Sequence, residues 1–234
     1  MTVTVKPMLF KREIKSFVRR QRRITPRLQK AYDLAWPKFG ITVSDAPLDL
    51  ENIFGRKAAR VCEIGFGSGD TLLPMAKENP DGDYLGIEVH EPGVAEVMFG
   101  IIENNLTNIR VIKNDAVKIL RDFIADNAFS RIHIYFPDPW PKKKHRKRRL
   151  IQDDFVDLLI RKLTSNGVLH VATDWENYAE QMMHILSAKK ALKNCMGENQ
   201  FADNASQQLR VESKFSKRGA KLGHGVWDLL FLRQ

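Results

Sequence analysis

From Ala59 onward, short β-branched and apolar runs alternate with longer stretches whose apolar residues recur at helical spacing. The runs predict strands over 59–64, 84–89, 109–113, 131–136 and 167–173, with a last strand over 226–232. The stretches between them predict helices over 71–78, 94–104, 116–123 and 153–162, and another helix follows Trp175. Residues 188–212 carry no clear pattern. Such alternation predicts an α/β fold, a doubly wound and mostly parallel sheet that takes ligands outside the carboxyl ends of its strands, where the strand order reverses. Upstream, Thr25-Pro26 supplies a capping hydroxyl and a first-turn proline. The helix they start carries an apolar stripe of Leu28, Ala31, Tyr32 and Ala35 and is expected to stop at Trp36-Pro37 and Gly40. Residues 41–58, with Pro47 and Gly55, read as a linker. The expected division is a basic arm with a short helix over 1–40 and a single ligand-binding domain over 41–234.

Length and composition narrow the class. A chain of 234 residues suits one substantial domain, and 43% apolar with 28% charged residues is ordinary for a globular protein. No apolar run approaches eighteen residues, and the first thirty lack the continuous apolar core of a secretory signal, so no membrane association is expected. Their wealth of Arg and Lys is also the composition of an organellar presequence. Cys62 and Cys195 lie far apart, without Cys or His at metal-ligand spacing, so neither a disulfide framework nor a metal site is expected and a reduced, cytoplasmic compartment fits best.

The net charge of +10 is unevenly spread. Residues 1–30 carry ten Lys or Arg against Glu13 alone, and residues 142–149 add seven with no acid, which leaves 21 bases and 27 acids elsewhere. Two dense cationic patches on an acidic body are the footprint of a polyanion partner, although solvated faces or a localisation tag have the same composition.

The ends of the predicted strands hold the candidate chemistry. The first runs into Glu63-Ile64-Gly65-Phe66-Gly67-Ser68-Gly69-Asp70, a glycine turn without the G-x-G-x-x-G spacing of a dinucleotide site. Glu63 and Asp70 would repel a phosphate there, whereas a ligand with ammonium and sulfonium groups, such as S-adenosylmethionine, is attracted. The second strand ends at Glu88, about where a ribose-binding acid falls, and the third at Asp115, placed to accept from an adenine amino group. Singly, each acid is more often a surface residue or a helix cap, but three acids in register with one glycine turn on the same sheet edge favour an adenosyl site. The fourth strand leads into Phe136-Pro137-Asp138-Pro139-Trp140-Pro141 and then the cationic octet. Prolines on both sides restrict the backbone at Asp138, and an aromatic beside cations suits a stacked base next to a phosphate track. After the fifth strand, Asp174-Trp175 reads either as a second acid and indole of the site or as a helix cap followed by a core Trp. His133 and His170 lie within strands and read as core or sheet-face residues.

These residues resemble the bacterial tRNA (guanine-N7-)-methyltransferase family, most specifically through F-P-D-P-W-x-K-x-x-H-x-K-R-R, which residues 136–149 meet at every fixed position. Supporting pieces are Ser16-Phe17-Val18-Arg19-Arg20-Gln21, Gly86-Ile87-Glu88-Val89-His90, Thr173-Asp174-Trp175 and Leu222-Gly223-His224. The resemblance implies a Rossmann-like class I methyltransferase that uses S-adenosylmethionine and acts on a guanosine in the tRNA variable loop. It implies donor contacts at Glu63, Glu88, Asp115 and Asp138 around Gly65 and Gly67, and tRNA contacts at Lys142 and Asp174. Asp138 is the candidate catalytic carboxylate. The resemblance also implies substrate contacts at the tail motif, T-[KR]-F-E, which stands here as Ser213-Lys214-Phe215-Ser216, so the hydroxyl is kept and the acid's contact to donor or guanine is lost. Three other readings stand beside it: methylation of an exocyclic amine, which favours a Pro-Pro-aromatic turn absent here; an NAD-linked oxidoreductase, disfavoured by the glycine spacing; and a noncatalytic RNA-binding module.

Overall fold

The structure is a computed structural model, which describes residues 15–17, 23–203 and 225–234. Five parallel strands form the body of the sheet: β1 (Arg60–Ile64), β2 (Asp83–Glu88), β3 (Ile109–Lys113), β4 (Phe129–Tyr135) and β5 (Leu163–Thr173). Beyond β5 lie β6 (Leu192–Asn194) and β7 (Trp227–Arg233), in the order β3-β2-β1-β4-β5-β7-β6. β7 runs antiparallel to both its neighbours, so the sheet is mixed at that edge. The chain winds outward from β1 to β3, then returns to lay β4 on the other side of β1. That reversal opens a crevice at the carboxyl ends of β1 and β4.

Helices cover both faces. α1 (Pro26–Phe39), α3 (Leu72–Glu78) and α4 (Glu91–Glu103) close one face around Val61, Tyr84, Val94, Met98 and Val111. α2 (Leu50–Phe54), α5 (Ala116–Asp122), α6 (Asp153–Lys162) and α7 (Glu176–Ser187) close the other around Cys62, Ile87, Ile112, Ile134, Leu169, Phe155 and Met182. α6 shows how pattern becomes packing: Phe155, Val156, Leu158 and Leu159 are all buried, and each such side chain contributes about 1.5–3 kcal/mol. None of the described helices is long and apolar enough to cross a membrane.

Several boundaries depart from the sequence reading. α1 continues through Pro37 to Phe39, because Phe39 is buried and the Gly40 N–H closes the last turn by donating to the Trp36 carbonyl at 2.8 Å, although Pro37 has no N–H to donate. The stretch read as a linker holds α2, capped by Asp49, whose side chain accepts from Asn52 N–H, and ended by Gly55 in the left-handed conformation. α4 begins at Glu91, with Pro92 in its first turn. β6 arises inside the unpatterned stretch, where pairing with β7 supplies order that three residues lack alone.

His133 and His170 sit on the sheet, buried, as neighbours in register with Glu63 of β1. The His170 ring bridges the Tyr135 hydroxyl at 3.0 Å and the Asp228 carboxylate at 2.7 Å, tying β4, β5 and β7 together beneath the crevice.

Candidate active site

One side of the crevice is built on the carboxyl ends of β1, β2 and β3. Gly65, Gly67 and Gly69 all adopt positive φ, the conformation that coils the turn tightly above β1. Gly93, at the start of α4, lies so close that a Cβ there would meet the Gly67 carbonyl oxygen at 2.2 Å, so α4 can approach the turn only with glycine at this position. Its presence in Glu91-Pro92-Gly93 was the available signal, and the sequence reading passed over it.

Glu88 fastens this turn. Its Oε2 accepts from the Gly67 N–H at 3.0 Å, and its Oε1 accepts from the N–H groups of Val89 at 2.6 Å and His90 at 2.8 Å. A carboxylate offers about four lone-pair directions, so Glu88 keeps room for an additional donor while organising the loop around it. Glu63 lies deeper, 2% exposed, where one oxygen accepts from the Thr71 hydroxyl and Oε2 has no partner among the described residues. Burial, reinforced by the charges of Asp70 and Glu88 and opposed by the Thr71 bond, pushes its carboxyl up to about 8. Burial thus favours the protonated form of Glu63 near neutral pH. Asp115 is half-buried and caps α5, accepting from the Val117 N–H at 3.0 Å. A buried carboxyl oxygen without a partner, set beneath a glycine cradle amid further acids, fits a cationic adenosyl ligand such as S-adenosylmethionine and opposes a pyrophosphate.

The other side of the crevice stands on β4 and β5. Asp138 is exposed on a turn whose flanking residues Phe136 and Trp140 hold φ of 52° and 43°. Such backbone in residues other than glycine costs on the order of 1–3 kcal/mol each and persists only where surrounding contacts enforce it. Those contacts are present. The Phe136 N–H donates to the Ala172 carbonyl at 2.8 Å, and the Trp140 indole N–H donates to the Ser16 carbonyl at 3.1 Å. Arg149 Nε donates to the Pro139 carbonyl at 2.8 Å, while its other nitrogens reach Gln181 at 2.6 Å and Asn177 on α7. Its guanidinium also lies 4.5 Å from the Tyr178 ring centroid.

Arg149 is thus a brace for the Asp138 turn and not part of a surface track: it is 2% exposed, although the sequence places it in the cationic octet. The available signal was its position against Leu150-Ile151, where the polar run gives way to apolar chain. The remaining octet forms a 3-10 turn over Lys143–Arg148, with Lys142 exposed just before it and Arg148 5.0 Å from the Trp140 ring. At the end of β5, Asp174 is half-buried and Trp175 is 38% exposed, and no side chain caps the helix that follows. The alternative of a cap followed by a core Trp is overturned. The candidates Ser213, Lys214, Phe215 and Ser216 lie outside the described residues.

Comparison with known proteins accords with this arrangement. The model of a family described as "Putative methyltransferase" matches residues 57–229. The tRNA (guanine-N(7)-)-methyltransferase of Alcanivorax borkumensis is 49% identical over 94% of this chain and 91% of its own length. That of Pseudomonas aeruginosa (strain UCBPP-PA14) is 48% identical over 95% and 90%. Among solved structures, the 16S rRNA methyltransferase KamB superposes with a TM-score of 0.61 over 84% of this chain and 98% of its own, at 12% identity, a likeness of fold. With a Rossmann-like sheet, a glycine turn ringed by acids and relatives this similar over nearly the whole chain, the protein belongs to the tRNA (guanine-N7-)-methyltransferase family.

Proposed function

We propose that this protein transfers a methyl group from S-adenosylmethionine to N7 of a guanosine in the tRNA variable loop, with Asp138 as the carboxylate that acts on the base. The observation that carries this reading is the placement of Asp138. An exposed carboxylate stands at the end of β4, beside the strand reversal, on a turn braced from α7 and from Ser16, with acids on one flank and cations on the other.

The donor supplies an electrophilic methyl group bound to sulfur. Guanine N7 presents a free lone pair, so no proton has to leave before it attacks and no strong base is needed. The residues of the site therefore act by orientation, which contributes on the order of 7–11 kcal/mol when reacting atoms are held in line. Glu88 and Asp115 hold the nucleoside part of the donor, and Glu63 offers its unpartnered oxygen to a donor N–H. Asp138 accepts from the N1–H and amino edge of guanine, and its negative charge gains interaction as the purine becomes cationic. Asp174 and Trp175 line the same edge, and Lys142 holds an adjoining phosphate. The unpaired thiols of Cys62 and Cys195 suit a reducing cytoplasm.

Incubation with unmodified tRNA and radiolabelled donor, followed by nucleoside digestion, tests the reading. It should yield labelled 7-methylguanosine from the variable loop. RNA that is bound and left unlabelled, or labelled on another atom, overturns it.

A further inference from the structure

A groove of about 350 Å³ opens between α5 and α6, lined at one end by the segment that follows the Asp138 turn. Its floor is apolar, from Val117, Phe155 and Leu158. Its rim is cationic and comes from four separate stretches of chain: Lys15, then Lys118 and Arg121 of α5, then Lys147 and Arg148, then Arg161 of α6. Lys118 and Arg121 are one turn apart on α5, and Asp154, Leu158 and Arg161 share a face of α6. The acids facing this rim are Asp115, which caps α5, and Asp154. Arg121 is paired with its neighbour Asp122 at 2.8 Å. Lys118 and Arg161 are exposed and make no ion pair among the described residues.

The groove is continuous with the acceptor side. Arg148 both lines it and lies over Trp140, and Ser16 both lines it and accepts the Trp140 indole hydrogen bond. A strand whose target base stacks beside Trp140 has its backbone led directly between these two helices. Cations on both walls attract a polyanion, and the apolar floor gives sugars a surface to lie on.

We infer that this groove receives the sugar-phosphate backbone flanking the target guanosine, with Lys118 and Arg161 as phosphate contacts. The inference rests on the proposed function. It extends the RNA footprint from the Lys142–Arg148 segment onto the outer helices of the sheet's other face.

The test is the double variant Lys118→Glu/Arg161→Glu beside Lys118→Gln/Arg161→Gln, with folding checked by circular dichroism and thermal melting. Affinity for unmodified tRNA is measured at several salt concentrations, and single-turnover methylation across a range of tRNA concentrations. The glutamate pair should bind at least about tenfold more weakly at low salt. The glutamine pair should flatten the log-log salt slope by about 1.4–1.8, as expected for two lost phosphate contacts. The tRNA concentration that half-saturates single-turnover methylation should rise in step with the loss of affinity, and a wild-type value overturns the inference. Wild-type affinity and slope in both variants overturn the inference, as does weaker binding with an unchanged slope. If the wild-type protein transfers no methyl group to tRNA, the functional reading has failed, and the binding slopes still judge the groove on their own.

Discussion

The two flanks of the crevice are built on opposite principles. On the β1–β3 side, carboxylates are drawn inward and spent on structure: Glu88 is tied to backbone N–H groups, Glu63 is buried and favours its protonated form, and Asp115 caps a helix. On the β4–β5 side, the carboxylate and the indoles are pushed outward, while a buried arginine and strained backbone hold them there. The β1–β3 flank is organised by its own hydrogen bonds. The β4–β5 flank is open and runs into a cationic segment, as the proposed RNA-binding role requires. A small ligand can be enclosed, whereas a folded RNA has to be met at a surface.

Exchanging the chemistry of one flank while sparing the other tests this division. The largest effect is expected at Asp138. Asp138→Asn keeps size and turn preference and removes the charge, so single-turnover methylation should fall by a factor on the order of 100 or more with little change in tRNA affinity. If saturating donor restores the rate, Asp138 belongs to the donor flank and the division fails.

Arg149→Met comes next. It leaves the Pro139 carbonyl and the amides of Asn177 and Gln181 without their donor, at about 1–3 kcal/mol for each buried group left unmatched. Thermal melting should drop by several degrees and turnover should fall with it, because the Asp138 turn loses its brace. A wild-type melting temperature would show that the turn is held by other contacts.

On the donor flank, Glu88→Ala should weaken S-adenosylmethionine binding by about 1–3 kcal/mol, read by calorimetry, and leave tRNA affinity unchanged. Equal losses for both ligands would mean that the two flanks are mechanically coupled.

Glu63 sharpens the contrast through pH. Its carboxyl is raised from an ordinary 4.5 to about 8 in the folded chain, so between those values the native state holds a proton that the unfolded state has lost. The stability it contributes is complete below about pH 4.5 and is lost as pH rises towards 8. Melting of wild-type protein should therefore decline across that window more steeply than melting of Glu63→Gln. Parallel profiles would place Glu63 as an ordinary ionised acid.

The smallest effect is expected at Lys142, where Lys142→Gln should flatten the salt dependence of tRNA binding by about 0.7–0.9 in log-log slope and change affinity a few-fold. An unchanged slope would remove Lys142 from the phosphate track.

Much of this was legible in the residues. Period-2 and period-3.6 patterning located β3 and α6 to the residue, because both bury one regular apolar set and are bounded by turn or cap residues. Short elements were harder to see. β6 and the start of β5 depend on partners far along the chain, and Phe39 holds the last turn of α1 against its proline by burial.

For the site, the sequence by itself determined which chemistry is present and at which strand ends. Residue type and spacing are local properties, and parallel strands bring their carboxyl ends to one edge whatever their order. Only the tertiary structure decided how each charge is used. Arg149 and Lys142 are both cations of one short segment, yet one is enclosed by α7 and the other faces water. Glu63 and Asp138 are both acids at strand ends, yet burial favours a proton on the first and exposure leaves the second on the surface. Charge state and role follow from solvation and neighbours, and these are set by contacts between residues far apart in the chain, which local pattern does not encode.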